Sequence, residues 1–438
     1  MGDSAPFAGI EVVEFGQFIA VPYCAQLLAE GGAHVIKIES LEGDPVRQLA
    51  PIVPGETRHF VSRNRGKHTL PLDLRHPRAS AVVERLLARA DVVLTNFRPG
   101  LAAELGLDWA SLGPRHPRLV VGNVSAFGPR GPDARLAGMD LVVQARSGLM
   151  AASGRIEGGV PTGGEAPVAD YQCAMMLAFG IASALLRRER TGRGGEVDVA
   201  LLMAALVLQN NAMVRVDSVE GDLHRDLRAR LADLRTRGVP LAEQAAVVPK
   251  VRPPAMTEVY YRTYATKDGA IAVACVSPGL QRSFMTAVGL RDEAHERPLA
   301  DRDAHAKHYA ALRTRLEPLI AARSTSEWKA RLDAHGVPVA RVALPVEMLE
   351  DEQALENGFL RDLDHPTLGR VRVLAPPVRL DGGGFAGTPA TPSFGSETRA
   401  ILASLGFTEA DIATFLADGV TRDTLGGGSR APRREEVS

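Results

Sequence analysis

Short β-rich runs alternate with amphipathic helical runs through the first third of the chain, and no other feature restricts the fold as much. The strand-like runs occupy 10–16, 34–39, 69–74, 91–97 and 119–128, and the helix-like runs occupy 22–32, 78–90 and 101–112. Strands that alternate with helices of this length predict an α/β fold, a parallel sheet with helices on its faces. Such sheets bind ligands at the carboxyl ends of their strands, where this chain has Glu39, Asn96, Phe97 and Ser125–Gly128.

The length of 438 residues exceeds what one ordinary core holds, which predicts two domains. We expect the N-terminal part of a large domain at 1–212, a linker with a charged helix at 213–254, and a small domain at 255–340. Residues 341–424 then return to the large domain, and 425–438 form a disordered tail. In the small domain, the pattern predicts a hairpin with its turn at Lys267–Gly269.

Charge and cysteine content argue against several classes of protein. A formal net charge of −1 is unsuited to neutralising many phosphates, so we expect no nucleic-acid partner. Cys24, Cys173 and Cys275 are too widely spaced for a disulfide framework or a zinc site, and no metal is expected. The N-terminus lacks a signal-peptide pattern, and the apolar run at 197–207 is too short to span a bilayer. These features predict a cytoplasmic protein without a membrane partner.

One acidic residue, Asp170, stands directly before an apolar helical run in the stretch 166–195. A helix cap, a cofactor anchor and a nucleophile are the alternatives for it. The apolar spacing predicts a helix that begins at or just after 170, where an N-cap aspartate contributes about 1 kcal/mol. The same position also suits a nucleophile, because the positive helix end keeps the carboxylate ionised and free N–H groups nearby can bind an oxyanion. Cys173 lies one turn later and either shares the pocket or is a small buried hydrophobe.

Motifs for nucleotides and metals are weak or absent in the sequence. The first strand–turn–helix unit has Gly16 but lacks the second and third glycines of a dinucleotide fingerprint, which argues against a nicotinamide-dependent oxidoreductase. His305 and His308 have helical spacing, but their charged neighbours favour a solvated helix face over a metal site.

Eight ordered motifs resemble the class III CoA-transferases, the superfamily of the formyl-CoA and carnitine enzymes and of the α-methylacyl-CoA racemases. They are IEVVEFG…P…LLAEGGAHVIKIE, NRGKHTLPLDLR, TNFRPG, FGPRGP, DLVVQARSGLM, PVAD…GIASALLRRERTGRGGEVDVALL, WKARLDAHGVP and HPTLGRVRV. The resemblance runs from about residue 8 to 423. It implies a Rossmann-like large domain, a smaller α+β domain and two chains interlocked as a dimer, as a homodimer or as a heteromer with a related chain.

The resemblance also implies a reaction. Asp170 matches the catalytic aspartate of the family, which attacks an acyl-CoA thioester to give a mixed anhydride and then an aspartyl-CoA thioester. The acceptor acid repeats these steps in reverse. The partners are therefore an acyl-CoA and a small carboxylic acid, with the CoA thioester as substrate and no permanently bound cofactor.

Positions around CoA follow from the same resemblance: Lys67, Asn96, Phe97, Arg98 and Arg47. Each has a plainer interpretation, since Lys67 and Arg98 could be surface charges and Asn96 could cap the helix after Pro99.

The chain also departs from the family pattern. Ser40 replaces a CoA-contacting arginine, and Ala174 replaces a glycine. Where the formyl-type enzymes have a glutamine and an arginine, this chain has Ile19 and Glu104, and their glycine-rich loop has no counterpart near 250–260. The apolar residues Ile19, Met139, Met175 and Met176 favour a bulkier or less polar acyl group than formyl or oxalyl.

Two rival functions remain at the sequence level. Racemases of this family use a Gly-His-Asp histidine as one of two opposed bases. This chain has Met139 between Gly138 and Asp140, and methionine carries no proton. The other rival is a non-catalytic subunit or binding protein that retains the family fold.

Overall fold

The computed structural model describes residues 5–153, 155–249, 252–380 and 384–425 and divides into two compact units. The first unit takes in the chain up to Val216 and from Gln353 onward, and the second is Asp217–Glu352. The charged helix expected in a 213–254 linker therefore groups with the second unit, which extends to Glu352 rather than to residue 340. Nearly all of the predicted tail, 426–438, lies outside the described residues.

The first passage of the chain through the first unit forms ten strands and nine helices among the described residues. The strands are β1 Glu11–Glu14, β2 His34–Glu39, β3 Pro51–Val53, β4 Glu56–Thr57, β5 Lys67–Pro71, β6 Val92–Thr95, β7 Val120–Ser125, β8 Ile156–Glu157, β9 Val160–Pro161 and β10 Gly195–Ala200. The helices are α1 Ala20–Glu30, α2 Arg58–Val61, α3 Ala79–Leu87, α4 Leu101–Glu104, α5 Trp109–Leu112, α6 Asp140–Ser147, α7 Leu149–Ala152, α8 Val168–Thr191 and α9 Leu201–Val207.

Six parallel strands form the central sheet in the order β10-β7-β6-β1-β2-β5. The predicted parallel α/β sheet is thus confirmed. From β1 the chain builds outward through β2 to β5, and it then returns beside β1 to build β6, β7 and β10 on the other side. The order reverses between β1 and β6, and this switch point is where open α/β sheets form their ligand crevice.

Hydrophobic layers cover both faces of this sheet. On one face α1 and α8 pack over Val35, Leu94 and Val120. On the other face α3 packs with two C-terminal helices over Val13 and Ile36. Those helices, α16 Thr398–Ser404 and α17 Glu409–Ala417, are the helical pair predicted near 396–418.

Two glycines let α8 approach the sheet closely. A Cβ at Gly122 of β7 would lie 2.7 Å from Leu94 and 2.9 Å from Ile181. A Cβ at Gly180 of α8 would lie 2.5 Å from Val197 of β10. Helices of such sheets run antiparallel to the strands, so this packing places the N-terminus of α8 at the carboxyl edge of the sheet. By length and hydropathy alone α8 could also cross a bilayer, a property that core helices of soluble proteins share.

The second unit contains a three-stranded antiparallel sheet with helices. Its elements are α10 Asp217–Thr236, α11 Leu241–Ala246, β11 Tyr261–Ala265, β12 Ala270–Ala274, α12 Pro278–Val288, α13 Arg302–Ala321, α14 Thr325–Ala334 and β13 Val339–Arg341. The hairpin predicted at Lys267–Gly269 is the β11–β12 connection. The expected solvated face is only partly confirmed, because His305 and His308 are both half-buried and the Nε2 of His308 lies 2.6 Å from Oδ1 of Asp292. The chain then returns to the first unit, where the hairpin of β14 Leu360–His365 and β15 Gly369–Leu374 follows α15 Glu352–Glu356.

Candidate active site

Asp170 is the third residue of α8, which begins at Val168. The expectation that Asp170 caps this helix is therefore wrong. The cap comes instead from Asp140, the first residue of α6, whose Oδ1 accepts hydrogen bonds from the N–H groups of Ala169 (2.8 Å) and Asp170 (3.1 Å). A capping side chain that lies 30 residues earlier in the sequence leaves no local signal.

The N–H groups in the first turn of α8 are all occupied. Besides the two that Asp140 binds, the N–H of Val168 donates to the carbonyl of Ala166, and the N–H of Tyr171 donates to the carbonyl of Pro167. The expectation that free amides of this turn bind an oxyanion is thus not supported by the structure. Stabilisation of negative charge beside Asp170 has to come from side chains or from other parts of the chain.

The carboxylate of Asp170 is buried and unpaired. Its side chain accepts no hydrogen bond and forms no ion pair among the described residues, and the residue is only 8% exposed. Burial, helped by the negative charge of Asp140 and partly offset by the positive charge of Arg63, raises the pKa of Asp170 to about 7. Near neutral pH, Asp170 therefore exchanges readily between acid and carboxylate.

Cys173 does not compete with Asp170 as a nucleophile. It is fully buried in the core between α8 and the sheet. Burial raises the pKa of its thiol to about 12, with the charge of Asp170 adding to the shift. Because only the thiolate is a strong nucleophile, Cys173 acts as a small core residue.

Arg63 and Tyr171 accompany Asp170, and sequence reasoning missed both. The Nε of Arg63 donates to the Tyr171 hydroxyl at 3.2 Å, and its Nη1 donates to the carbonyl of His59 at 3.4 Å. The Tyr171 ring in turn contacts Tyr23 edge to face, with the ring centroids 5.0 Å apart. The run SRNRGK gives no sequence-level indication of which basic residue faces Asp170.

Lys67 lies inside the fold with each of its ammonium protons engaged. The Nζ is 2.7 Å from the carbonyl of Pro22, 2.8 Å from Oδ1 of Asn64 and 2.8 Å from Oε2 of Glu14. Burial lowers its pKa to about 8, against the pull of Glu14. Lys67 thus stabilises the sheet edge and has no free donor for CoA.

Arg47 is likewise buried. Its Nε and Nη2 bind the two oxygens of Glu39 at 2.8 and 2.9 Å, and its guanidinium stacks on Phe60 at 3.4 Å from the ring centroid. Its Nη1 donates to the carbonyl of Gly55. This geometry assigns Arg47 to the fold and gives no support to the CoA contact that the resemblance implied.

Asn96 organises the switch point. It follows β6 and binds the backbone of Gln17, which follows β1, with its Oδ1 accepting from the Gln17 N–H (2.9 Å) and its Nδ2 donating to the Gln17 carbonyl (2.8 Å). It does not cap α4, whose N-cap is Gly100. Phe97 packs on Phe15 with 5.9 Å between ring centroids, and Arg98 is exposed beside them.

The turn between β1 and α1 is strained and fixed from several sides. Phe18 has a positive φ of 66°, which is uncommon for a residue other than glycine. Lys37 donates to the carbonyl of Gly16 at 2.6 Å, and Asp44 accepts from the N–H of Phe18 at 3.4 Å. A Cβ at Gly16 would lie 2.2 Å from Val21, so this glycine serves packing rather than a pyrophosphate.

The residues that depart from the family pattern occupy different environments. Ser40 donates to the carbonyl of Gly43, and Ala174 is buried in the core. Met139 and Met175 are exposed, whereas Met176 packs against the core. Across the ranges described by the structure, no group of three or more His, Cys, Asp or Glu side chains is arranged to hold a metal ion.

The fold and site define a class: a doubly wound α/β protein that presents one buried, unpaired carboxylate at the ligand edge of its sheet. The sequence model of CoA-transferase family III matches residues 7–398. Succinyl-CoA–D-citramalate CoA-transferase of Chloroflexus aurantiacus is 30% identical over 425 residues, covering 95% of this chain and 98% of the relative. Cinnamoyl-CoA:phenyllactate CoA-transferase of Clostridium sporogenes is 27% identical over 423 residues, covering 94% of this chain and 96% of the relative.

A comparison with solved structures identifies the same fold. The crystal structure of a CAIB/BAIF family protein from Brucella suis matches with a TM-score of 0.72 and 29% identity, covering 92% of this chain and 99% of that chain. The chain belongs to CoA-transferase family III, and the activity supported at this level is transfer of CoA between an acyl-CoA and a carboxylic acid. Some relatives form heteromers: the beta subunit of succinyl-CoA–L-malate CoA-transferase of Chloroflexus aurantiacus is 37% identical over 198 residues, covering 45% of this chain and 49% of the relative.

Proposed function

We propose that Asp170 carries the CoA transfer as a covalent nucleophile. The observation that supports this most is its buried carboxylate, which lacks any hydrogen bond or ion pair among the described residues. Burying an ionisable group without a partner is costly, and such groups concentrate where their reactivity is used.

The proposed reaction has two covalent intermediates. A carboxylate oxygen of Asp170 attacks the carbonyl carbon of the acyl thioester, the C–S bond breaks, and CoA thiolate leaves behind a mixed anhydride. The thiolate then attacks the aspartyl carbonyl carbon, which releases the first acid as its carboxylate and leaves an aspartyl-CoA thioester. The acceptor acid reverses both steps and departs as the new acyl-CoA. Because the thioester energy stays in covalent bonds to the enzyme, the cycle uses CoA thioesters as substrates without a permanently bound cofactor.

CoA binding is proposed at the switch point. Arg98 is exposed at the end of β6, beside Phe97, and Asn96 fixes the turn that borders the crevice. An exposed guanidinium suits a phosphate group of CoA. Lys67 and Arg47 act by holding the surrounding backbone in place.

The acyl group is proposed to be bulkier or less polar than formyl or oxalyl. Ile19 replaces a glutamine of the formyl-type enzymes, and Met139 is an apolar side chain where the racemases have a histidine. Each lies next to an element of the site: Ile19 at the start of α1 and Met139 before Asp140.

Steady-state kinetics over a panel of acyl-CoA and acid pairs tests the proposal. A covalent cycle of this kind predicts ping-pong behaviour, with parallel lines in double-reciprocal plots. Loss of configuration at the α-carbon of the acyl group, without exchange of CoA, would indicate a racemase. A complete lack of exchange by the protein alone, restored by a related chain, would indicate a non-catalytic subunit, the alternative that the heteromeric relatives favour.

The activity is expected to depend on pH through Asp170. The nucleophile has to be ionised, and its pKa is raised to about 7, so kcat/KM should fall as the pH drops below neutrality. Asp140→Asn keeps an Oδ1 acceptor for the two amides of α8 but removes the like charge, so it should shift this acid limb to lower pH. Rate profiles from pH 5 to 9 measure the shift. An unchanged limb in Asp140→Asn would contradict the assignment of the limb to Asp170.

Dimer formation is proposed from the exposed apolar face of α8 and α9. Exposed side chains along this face are Met175, Phe179, Leu186, Met203 and Val207, and Phe179 is 77% exposed. Exposed apolar side chains gathered on two helices that pack together favour a protein interface. A second copy of the chain is the simplest partner, consistent with the interlocked dimer that the family resemblance implies.

Phe179→Glu is expected to weaken this association by placing a charge in the centre of the patch. Light scattering and sedimentation should show a shift from dimer toward monomer in the variant. Ala81→Glu serves as the matched control, because Ala81 is an exposed position of α3 on the opposite face of the sheet. This variant should leave the mass of the dimer unchanged. A dimer of unaltered stability in Phe179→Glu would exclude this face as the interface.

A further inference from the structure

Three buried cations, Arg63, Arg65 and Lys67, lie within the five residues from the end of α2 to the start of β5, and they differ in whether a carboxylate neutralises them. Arg65 pairs with Glu30 at 3.1 Å, and Lys67 pairs with Glu14 at 2.8 Å. Arg63 is buried to a similar degree, at 6% exposure, but forms no ion pair with any described residue. Among the described residues, its guanidinium donates only to the hydroxyl of Tyr171 and the backbone carbonyl of His59.

A buried guanidinium without a counterion is unfavourable, because it gives up hydration without a compensating negative charge. Nearby Asp170 does not serve as its counterion, since the two form no ion pair within 4.0 Å, although their charges influence each other. The Nη2 of Arg63 also makes no hydrogen bond to a described residue, and its Nη1 has one long bond of 3.4 Å. The fork of the guanidinium is thus largely free to bind an anion beside the nucleophile.

We propose that Arg63 binds the carboxylate of the substrate acid next to Asp170. This inference rests on the proposed function, because it concerns the acid that leaves or attacks the aspartyl-CoA thioester. A planar guanidinium matches a carboxylate with two parallel N–H···O bonds.

A cation is needed at this place because the N-terminus of α8 has no free N–H group for the substrate carboxylate. The N–H groups of the first turn of α8 are bound by Asp140 and by nearby carbonyls, so they offer no donor to a second anion. When the first acid departs from the aspartyl carbonyl, its oxygen gains a full negative charge. Arg63 then holds this carboxylate, and in the second half of the cycle it orients an oxygen of the acceptor carboxylate toward the same carbonyl carbon.

The test compares two nucleophiles on the same intermediate. Enzyme carrying the aspartyl-CoA thioester is prepared with an acyl-CoA and freed of acid, and it then reacts with a carboxylic acid or with neutral hydroxylamine. In Arg63→Met the rate with the acid, at concentrations below saturation, should fall roughly 10- to 100-fold, whereas the rate with hydroxylamine should stay within about twofold. Arg63→Lys retains the positive charge but not the two parallel N–H groups of the guanidinium, so its rate with the acid should lie between those of the parent and Arg63→Met. Arg58→Met, at an exposed position in α2, is the matched control and should behave as the parent.

Three results would overturn the inference. Equal acid rates in Arg63→Met and parent would show that Arg63 does not bind the acid. An equal loss with acid and hydroxylamine would assign Arg63 to the placement of Asp170 instead. If the parent enzyme forms no adduct at all, the proposed function itself fails, which distinguishes that outcome from the other two.

Discussion

Asp170→Ala is expected to abolish CoA transfer, lowering kcat/KM by at least about 10⁴-fold. No described group near α8 can take over the covalent role, since Cys173 is a neutral thiol and Asp140 uses one oxygen to cap α8 and the other to accept from Gln144. The measurement is the exchange of CoA between an acyl-CoA and an acid, followed by separation of the two thioesters.

Asp170→Asn provides the stability control for this loss. The unfolded chain ionises this carboxyl near its usual pKa, whereas the folded chain keeps it protonated up to about pH 7. The folded state of the parent therefore loses stability between roughly pH 4 and 7 relative to the amide variant. At pH 8 we expect Asp170→Asn to unfold with a free energy about 1–3 kcal/mol higher than the parent, and at pH 4 to match it. Inactivity together with this gain would show that the loss is chemical rather than structural.

Arg47→Met is expected to destabilise the first unit by about 3–5 kcal/mol, because it leaves Glu39 as a buried carboxylate without its cation. Both oxygens of Glu39 bind Arg47, and Phe60 would also lose its stacking partner. Thermal and denaturant unfolding at neutral pH measure the change.

Arg98→Met is the contrasting variant, since Arg98 is exposed. Its free energy of unfolding should stay within about 0.5 kcal/mol of the parent, while its KM for acyl-CoA rises. If Arg47→Met keeps its stability and has a raised KM for acyl-CoA, Arg47 contacts CoA, as the sequence resemblance implied.

The sequence predicted the parallel sheet because strand and helix periods are local properties. Most strands of the central sheet fall within a few residues of their predicted runs, as with β2 at His34–Glu39. The edge strand β10 was not predicted, because its valines merge into the apolar run at 197–207 and this hides their alternation with Glu196 and Asp198. Period-two alternation in this stretch was the signal that could have identified it.

The site was predictable only in part. Asp170 stands out through its family motif, but its helix position depends on Asp140, which comes from another helix. Whether a basic residue is buried in an ion pair or faces a ligand is decided by tertiary neighbours. Lys67 and Arg47 accordingly proved to be internal, and Arg63 was overlooked.

Covalent catalysis by Asp170 is tested most directly by adding an acyl-CoA to the protein, trapping with hydroxylamine or borohydride, and mapping the product by mass spectrometry. If Asp170 is the covalent nucleophile, a hydroxamate, or after reduction an alcohol, forms on the peptide that contains Asp170 and on no other carboxylate. An unmodified Asp170 peptide across a broad acyl-CoA panel, in protein that nevertheless exchanges CoA, would contradict it.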